Sequence, residues 1–330
     1  MRVACIRAHG GIEEMRLEDW PEPVVGPGQA LVQIACCGLN QLDLFVIKGM
    51  PGVSIEMPRI TGGDIAGTVS AVGAGAGGAW VGRRVLIDPL IVDGRKRGAL
   101  GEHANGGLCE RIVVPVENLI ALPDAVSFEA AASLPIAYGT AYKMLGPTRG
   151  HVRAGETMLV LGASGGVGVA CVQLGKLMGA RVIACASSAE KIARLKALGA
   201  DEAVDYSRED FSAAAWRLSG KMGVEVVVNF TGGETWVPSL RTLKRFGRVL
   251  VCGATAGHDP AEDLRVLWIR EASIVGSNGW ERADLEALLA LVAAGRLAPV
   301  VDRVVPLAHV GEALAALRDR QVLGKVLVRP

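Results

Sequence analysis

Residues 157–188, TMLVLGASGGVGVACVQLGKLMGARVIACASS, decide the fold. Thr157–Leu161 is an apolar run typical of a buried strand, and Gly168–Met178 has the composition of an apolar helix. A glycine-rich turn separates them, and Arg181–Ala186 follows as a second strand. This order predicts a βαβ unit on a parallel sheet, with the turn and the helix N-terminus suited to a pyrophosphate.

The turn departs at one position from the dinucleotide fingerprint G-x-G-x-x-G. Ala163 takes the first glycine place, whereas Gly165 and Gly168 take the second and third. Its remaining members, also expected to contact the cofactor, are Gly162, Gly166 and Val167. A tight turn without a ligand is the alternative, but the position between a buried strand and an apolar helix favours a dinucleotide site.

The end of the second strand indicates which dinucleotide binds. An NAD site has Asp or Glu about 20 residues after the glycine turn, to accept hydrogen bonds from the ribose. Here that place falls at Ala186-Ser187-Ser188, which offers no carboxylate. Lys191 and Arg194 can face a 2′-phosphate, although both can instead be solvated charges on an amphipathic helix. We therefore predict that the cofactor is NADPH rather than NADH.

The chain has two parts with different predicted secondary structure, and 330 residues are enough for two domains. The first 120 residues are β-rich, with predicted strands at Ala30–Cys36, Ala66–Val72, Val81–Ile87 and Glu110–Pro115. Asp88–Gly107, polar and glycine-rich with Arg95, Lys96 and Arg97, is predicted to be one long loop. From Ser127 onwards strands and helices alternate, so the fold class is α/β.

Composition excludes several functions. The net charge of +1 and the 4% of aromatic residues argue against nucleic-acid binding. No stretch approaches the roughly 20 apolar residues of a spanning helix, so no membrane partner is expected. Seven cysteines show no disulfide framework, and with no signal peptide at the N-terminus we expect a cytoplasmic protein.

Further stretches extend the pattern over nearly the entire chain. They are EPVVGPGQALVQIACCGLNQLDLFVIKG (22–49), PRITGGDIAGTVSAVG (58–73), VGRRVLIDP (81–89), GGLCERIVVP (106–115), ALPDAVSFEAAASLPIAYGTAY (121–142) and GKVLV (324–328). Together with the glycine turn they resemble the medium-chain dehydrogenase/reductase family in its quinone oxidoreductase branch.

The resemblance implies a GroES-like β-rich catalytic domain at residues 1–122 and 277–330. A Rossmann domain, a doubly wound parallel sheet that binds the nucleotide, would interrupt it at residues 123–276. The resemblance also implies a homodimer that reduces a small-molecule quinone or related conjugated carbonyl (an enone) with NADPH.

The same resemblance assigns individual site residues. Asn40 and Asp43 would line the active site, and Thr140 would lie beside the nicotinamide. Lys191 and Tyr206 match positions near the adenosine phosphate. Other cofactor-contacting or cleft positions match Gly253, Ser277, Asn278 and Lys325.

The zinc-binding positions of metal-dependent relatives are altered here. Those enzymes hold a catalytic zinc with a cysteine, a histidine and a further cysteine or acid. This sequence has Asn40 at the cysteine position, Gly63 followed by Asp64 at the histidine position, and donor-free Ile136–Ala137 near the third. A Lewis-acid zinc needs three ligands, so we predict no catalytic zinc and a structural hydrogen-bonding role for Asp64.

The long loop takes the place of the four-cysteine structural zinc lobe but carries none of its cysteines. Glu102, His103 and Cys109 are an alternative metal set. Their spacing matches no zinc module, and a lone histidine is usually a surface residue. We therefore predict no metal at either place.

Without zinc, hydride transfer depends on positioning and on hydrogen bonds to the carbonyl, which suits an electron-poor conjugated acceptor. The Asn40 amide and the Tyr142 hydroxyl are the expected partners of the substrate oxygen. Asn40 can equally stabilise the turn after Gly38. Two other function classes stay open, a zinc-dependent alcohol dehydrogenase with unrecognised ligands and a non-catalytic NADPH-binding protein.

Overall fold

The computed structural model describes residues 1–93 and 96–330. Arg95, part of the predicted long loop, lies outside the described residues. The chain forms two compact units, Met1–Ile136 with Leu285–Pro330, and Ala137–Asp284. The domain boundaries predicted from the sequence, after residues 122 and 276, differ from the limits of these two units. They remain a prediction.

The N-terminal part of the first unit is mostly antiparallel β structure. Its strands are β1 (Arg2–Ile6), β2 (Arg16–Asp19), β3 (Gln29–Gly38), β4 (Arg59–Ile60), β5 (Asp64–Val72), β6 (Arg84–Ile87), β7 (Leu90–Asp93), β8 (Lys96–Ala99), β9 (Arg111–Pro115) and β10 (Leu119–Ala121). Two helices, α1 (Gln41–Lys48) and α2 (Phe128–Ala131), accompany them. Along β3, Ala30, Val32 and Ile34 are buried at every second position, because alternate side chains of a strand share one face.

The prediction of one long loop over Asp88–Gly107 is wrong, since β7 and β8 pair there as an antiparallel hairpin. Leu90 pairs with Ala99, and Ile91 pairs with Gly98. The apolar run Leu90–Val92 favours a strand. The strand was not predicted because the glycines and charged residues that follow it dominate the composition of this stretch.

The second unit alternates helices and strands. They are α3 (Thr140–Leu145), β11 (Thr157–Val160), α4 (Gly166–Leu177), β12 (Arg181–Ala186), α5 (Ala189–Ala197), β13 (Glu202–Asp205), α6 (Phe211–Leu218), β14 (Val224–Val228), α7 (Trp236–Thr242), β15 (Leu243–Val251), α8 (Leu264–Arg270) and β16 (Ser273–Gly276). Within the described ranges, no helix has the length and apolar character needed to cross a bilayer.

The sheet of the second unit is parallel throughout, in the order β13-β12-β11-β14-β15-β16. The order reverses on either side of β11, and such a switch point opens a crevice at the carboxyl ends of the strands. The glycine turn follows β11 at this point. The predicted α/β doubly wound class is confirmed.

The chain then returns to the first unit through α9 (Arg282–Ala293), β17 (Val301–Pro306), α10 (Val310–Arg318) and β18 (Lys325–Arg329). The main sheet of this unit has the order β10-β6-β5-β3-β18-β17, with β9 also paired to β3. In β18, Leu327 pairs with Gly38 and Val328 with Cys37. This register places Lys325, the first residue of β18, beside the residues that follow β3.

Candidate functional site

Asn40 and Asp43 form the N-terminal turn of α1. The Asp43 carboxylate accepts the backbone N–H of Asn40 at 2.7 Å and that of Gly62 at 2.7 Å. Asp43 is therefore a buried cap that joins α1 to the segment before β5. Burial raises the pKa of the Asp43 carboxyl to about 6, against the opposing effect of these two hydrogen bonds.

Lys325 is a fully buried lysine, 1% exposed, whose ammonium group meets three oxygen atoms. Its Nζ donates to Leu39 O at 2.8 Å, to Asn40 Oδ1 at 2.6 Å and to Asp64 Oδ2 at 2.8 Å. An ammonium has three protons to donate, so these acceptors satisfy it.

Asp64 completes this cluster with both carboxylate oxygens. Its Oδ2 also accepts Asn40 Nδ2 at 2.9 Å, and its Oδ1 accepts the backbone N–H of Ile136 at 2.8 Å. Asp64 thus makes the hydrogen bonds expected of a structural role. We call Asn40, Asp64 and Lys325 the ammonium cluster; it is a buried ion pair in which every charged group is hydrogen-bonded.

One member of the ammonium cluster, Asn40, stands at the cysteine position of the zinc-dependent relatives, and Asp64 follows their histidine position; the residues present do not fit a zinc ion. Asn40 Oδ1 and Asp64 Oδ2 already bind a cation, the Lys325 ammonium. Gly63, at the histidine position, has no side-chain atom that could bind a metal. Over residues 1–93 and 96–330, no three His, Cys, Asp or Glu side chains converge as metal ligands.

The alternative metal set at Glu102, His103 and Cys109 is also explained by local contacts. Glu102 pairs with His103, with 3.1 Å between Oε2 and Nδ1. The Cys109 Sγ lies 3.2 Å from Arg111 O, and burial raises the pKa of this thiol to about 12. A metal binds the thiolate, and this environment disfavours that form.

In the second unit, the glycine turn has the geometry that a dinucleotide needs. Gly162 takes a left-handed φ of 61°. A Cβ at Gly168 would lie 2.3 Å from Gly162 O, so only glycine lets α4 pack this close to the turn. Gly165 differs, because a Cβ there would meet only Gly162 O at 3.6 Å. Protein packing does not require glycine at 165, whereas close approach of a phosphate does.

Helix α4 begins directly at this turn, after Gly165 as its N-cap. No acidic residue lies in its first turn, which contains Gly166, Val167 and Gly168. The backbone N–H groups and the helix dipole at such an end attract an anion. Ala163, in the first glycine place of the fingerprint, is buried, and its N–H donates to Cys185 O at 3.0 Å.

The residues predicted to recognise the adenosine end meet after β12. Ser188 caps α5 by accepting the Lys191 backbone N–H at 3.3 Å, and Ser187 beside it is exposed. The Tyr206 N–H donates to Ala186 O at 3.1 Å, which places Tyr206 at the same strand end. Ala186 is buried and carries no carboxylate.

The other predicted cofactor residues of this unit follow neighbouring strands. Gly253 comes after β15, and Ser277 comes after β16 with its N–H donating to Val251 O at 2.8 Å. Among the described residues, the buried Ser277 hydroxyl has no hydrogen-bond partner, so it is available to a ligand. Thr140 opens α3 and is buried, and Tyr142 lies half-buried in the same helix.

Two features of the site were missed from the sequence. Lys143 tethers the segment after β16, because its Nζ donates to Glu281 at 2.7 Å and to Asn278 O at 3.3 Å. The ammonium cluster was also missed: Lys325 was expected at a cofactor or cleft position, but its ammonium is enclosed within the first unit. Asp64 and Lys325 lie 261 residues apart, so no local pattern reveals their pairing.

Two family models and several known proteins match this chain. Residues 26–124 match the family model for the alcohol dehydrogenase GroES-like domain, and residues 166–294 match that for zinc-binding dehydrogenase. Quinone oxidoreductase-like protein 2 of Bos taurus is 30% identical over 93% of this chain and 86% of its own length.

Two further similarities cover essentially the entire chain. Acryloyl-coenzyme A reductase of Metallosphaera sedula is 30% identical over 99% of each sequence. A crystal structure of an NAD-dependent alcohol dehydrogenase superposes with a TM-score of 0.94, at 37% identity and 100% coverage of both chains.

Proposed function

Because the chain belongs to the medium-chain dehydrogenase/reductase family, and is an oxidoreductase that uses a nicotinamide cofactor, we propose that it reduces conjugated carbonyls with NADPH and without zinc. When bound, the reduced cofactor supplies a hydride. The substrate would be a quinone or an enone.

The ammonium cluster is the observation that carries this proposal. A simple ketone accepts hydride readily only when a Lewis acid or a proton donor polarises its oxygen. Of the expected zinc positions, one carries Asn40, whose amide oxygen accepts the buried Lys325 ammonium, and Gly63 and Ile136–Ala137 offer no side-chain ligand. A quinone or an α,β-unsaturated acyl group is electron-poor by itself and needs less help. The names of two relatives, a quinone oxidoreductase-like protein and an acryloyl-coenzyme A reductase, support this substrate class.

The choice of NADPH rests on the end of β12. A 2′-phosphate would meet the Ser187 and Ser188 hydroxyls and the Lys191 ammonium, with no carboxylate at Ala186 to repel it. We expect a dissociation constant for NADPH about tenfold or more below that for NADH. Lys191→Ala should reduce this preference, whereas Lys196→Ala, a control on the exposed side of α5, should keep it. Equal constants for the two cofactors in the wild type would contradict the assignment.

Asn40, Asp43 and Tyr142 are the proposed active-site residues. One Asn40 amide proton makes only a 3.4 Å contact with Gly38 O, so this proton is the one available to a substrate oxygen. Asp43 would hold the turn that presents the amide. We expect Asn40→Ala to lower kcat about tenfold or more while the NADPH dissociation constant stays unchanged. An unchanged kcat would remove Asn40 from the mechanism.

A second candidate function has one observation in its favour, the 37% identity to an NAD-dependent alcohol dehydrogenase. An enzyme of that kind would oxidise alcohols with NAD⁺. Assays of alcohols with NAD⁺, with and without added zinc, separate it from the proposed reductase. Zinc-stimulated alcohol oxidation would favour this second candidate.

We also propose a cytoplasmic location. All seven cysteines are free, and six of them are buried, which suits a reducing compartment.

A further inference from the structure

A second concave site lies in the second unit, at the edge of its sheet opposite the glycine turn. The pocket has a volume of about 700 Å³. It is lined by residues 149–151 and 153–156, by Glu225, and by residues 244–246 and 248. These segments precede β11 or lie at the starts of β14 and β15. In a parallel sheet the starts of the strands share one edge, and the glycine turn follows the carboxyl end of β11.

The pocket is strongly basic. Five lysine and arginine residues line it against two glutamates, Glu156 and Glu225. Glu156 is engaged by Arg248 at 2.6 Å, and Glu225 is engaged by Lys244. Arg245 is paired with Glu271 from outside the pocket, so three carboxylates face the five basic side chains and leave an excess of two positive charges.

Arg149 and Arg153 supply the part of this charge that is available to a ligand. Both side chains are exposed, and within residues 1–93 and 96–330 neither guanidinium makes a hydrogen bond. Arg153 also interacts electrostatically with Glu156, whose carboxylate is already paired with Arg248. A guanidinium presents its N–H groups as a fork that matches two phosphate oxygens.

An aromatic residue with an unusual backbone conformation also lines the pocket. Phe246 has a φ of 64° and is 65% exposed, with the Arg245 guanidinium 4.8 Å from its ring centre. His151, also in the pocket, has a φ of 48°, and Glu271, the partner of Arg245, has one of 49°. Among the described residues only five non-glycine residues adopt positive φ. Two of them, His151 and Phe246, line this pocket, and such backbone strain tends to collect at functional sites.

We propose that this pocket binds a nucleoside phosphate, with the phosphates on Arg149 and Arg153 and the base on the Phe246 ring. The volume falls within the range of small-molecule sites, about 300–1,000 Å³, and is far more than a single phosphate fills. Exposed aromatic rings stack any base, whereas paired arginines select the phosphates. This site is distinct from the dinucleotide site, which lies at the other edge of the same sheet.

Calorimetric titration of ADP into the full-length protein tests the proposal. The dinucleotide site is first saturated with whichever of NADPH and NADH binds more tightly, so that ADP reports only on the second site. We expect saturable binding of one ADP per chain. The double variant Arg149→Gln/Arg153→Gln should weaken it about tenfold or more. The charge-matched control Arg217→Gln/Arg318→Gln, at exposed ion pairs elsewhere, should leave it unchanged.

Phe246→Gly distinguishes binding of the base from binding of the phosphates. It removes the aromatic ring, and the backbone can keep its conformation because glycine accepts a positive φ without strain. This variant should weaken ADP binding but leave inorganic pyrophosphate binding unchanged. Equal effects of Phe246→Gly on both probes, or no saturable ADP binding by a wild type that still binds its dinucleotide, would overturn the proposal. A single-stranded oligonucleotide that binds far more tightly than ADP would also overturn it, in favour of a nucleic-acid surface.

Discussion

Removal of the Lys325 ammonium would leave Asp64 as a buried, unpaired carboxylate. We expect Lys325→Met to lower the free energy of unfolding by about 3–5 kcal/mol, because the remaining charge keeps its desolvation cost. Arg318→Gln, which breaks the exposed pair with Asp319, should cost less than about 1 kcal/mol. Urea denaturation of both variants measures the difference.

The double variant Lys325→Met/Asp64→Asn controls for side-chain packing. It removes both charges, so it should recover part of the stability that Lys325→Met loses. If Lys325→Met and Arg318→Gln destabilise equally, the ammonium cluster is not the buried ion pair described above.

Asp43 should make the free energy of unfolding depend on pH, and a comparison of the wild type with Asp43→Asn isolates this dependence. Its pKa in the folded chain is about 6, above the ordinary value of 3.8, so between these values the folded state binds more protons than the unfolded state. The contribution of Asp43 to the free energy of unfolding must then fall as the pH rises from about 4 to about 6. We expect the advantage of wild type over Asp43→Asn to shrink by roughly 2–3 kcal/mol across this window. Urea denaturation at several pH values tests this, and an advantage that grows with pH would contradict it.

The turn between β11 and α4 allows a test with single methyl groups. Gly165→Ala should preserve the melting temperature, because its Cβ has room, but weaken dinucleotide binding about tenfold or more. Gly168→Ala should instead lower the melting temperature, because its Cβ would lie 2.3 Å from Gly162 O.

Gly311→Ala, in an open position of α10, is the matched control and should neither lower the melting temperature nor weaken dinucleotide binding. Thermal melts and dinucleotide titrations separate the three variants. Normal dinucleotide affinity in Gly165→Ala would contradict the prediction that a cofactor phosphate binds against Gly165.

Elements with a strong local signal were predictable from the sequence. The strand Arg181–Ala186 has the predicted bounds, and α4 begins two residues before its predicted start at Gly168. Helix α1 was missed although Asn40 and Asp43 form a capping box at its start, a pattern that can be read from the sequence. The glycine turn was predictable because its residues are consecutive, whereas the ammonium cluster depends on the pairing of β18 with β3.

At the scale of the whole molecule, we propose that the expected homodimer forms along the edge strand β16. This strand ends the sheet of the second unit, and exposed apolar side chains lie on it and on α8: Ile274 is 46%, Trp268 63% and Ile269 67% exposed. An unpaired edge with an apolar border is a template for pairing with another chain.

One chain has a mass of 34.4 kDa, and light scattering after size exclusion should give twice that mass. Ile274→Lys should shift the protein towards monomer, whereas Val304→Lys, a similarly exposed position on β17, should not. A wild type of single-chain mass at micromolar concentration would contradict the dimer.

The central claim, hydride transfer to a conjugated carbonyl without zinc, is tested most directly by NADPH oxidation with a small ortho-quinone after exhaustive treatment with a strong chelator. The proposed mechanism uses no metal, so turnover should survive the chelator and fall sharply when NADH replaces NADPH. Loss of all quinone turnover, with alcohol oxidation restored by added zinc, would contradict the claim and assign the chain to the zinc-dependent alcohol dehydrogenases.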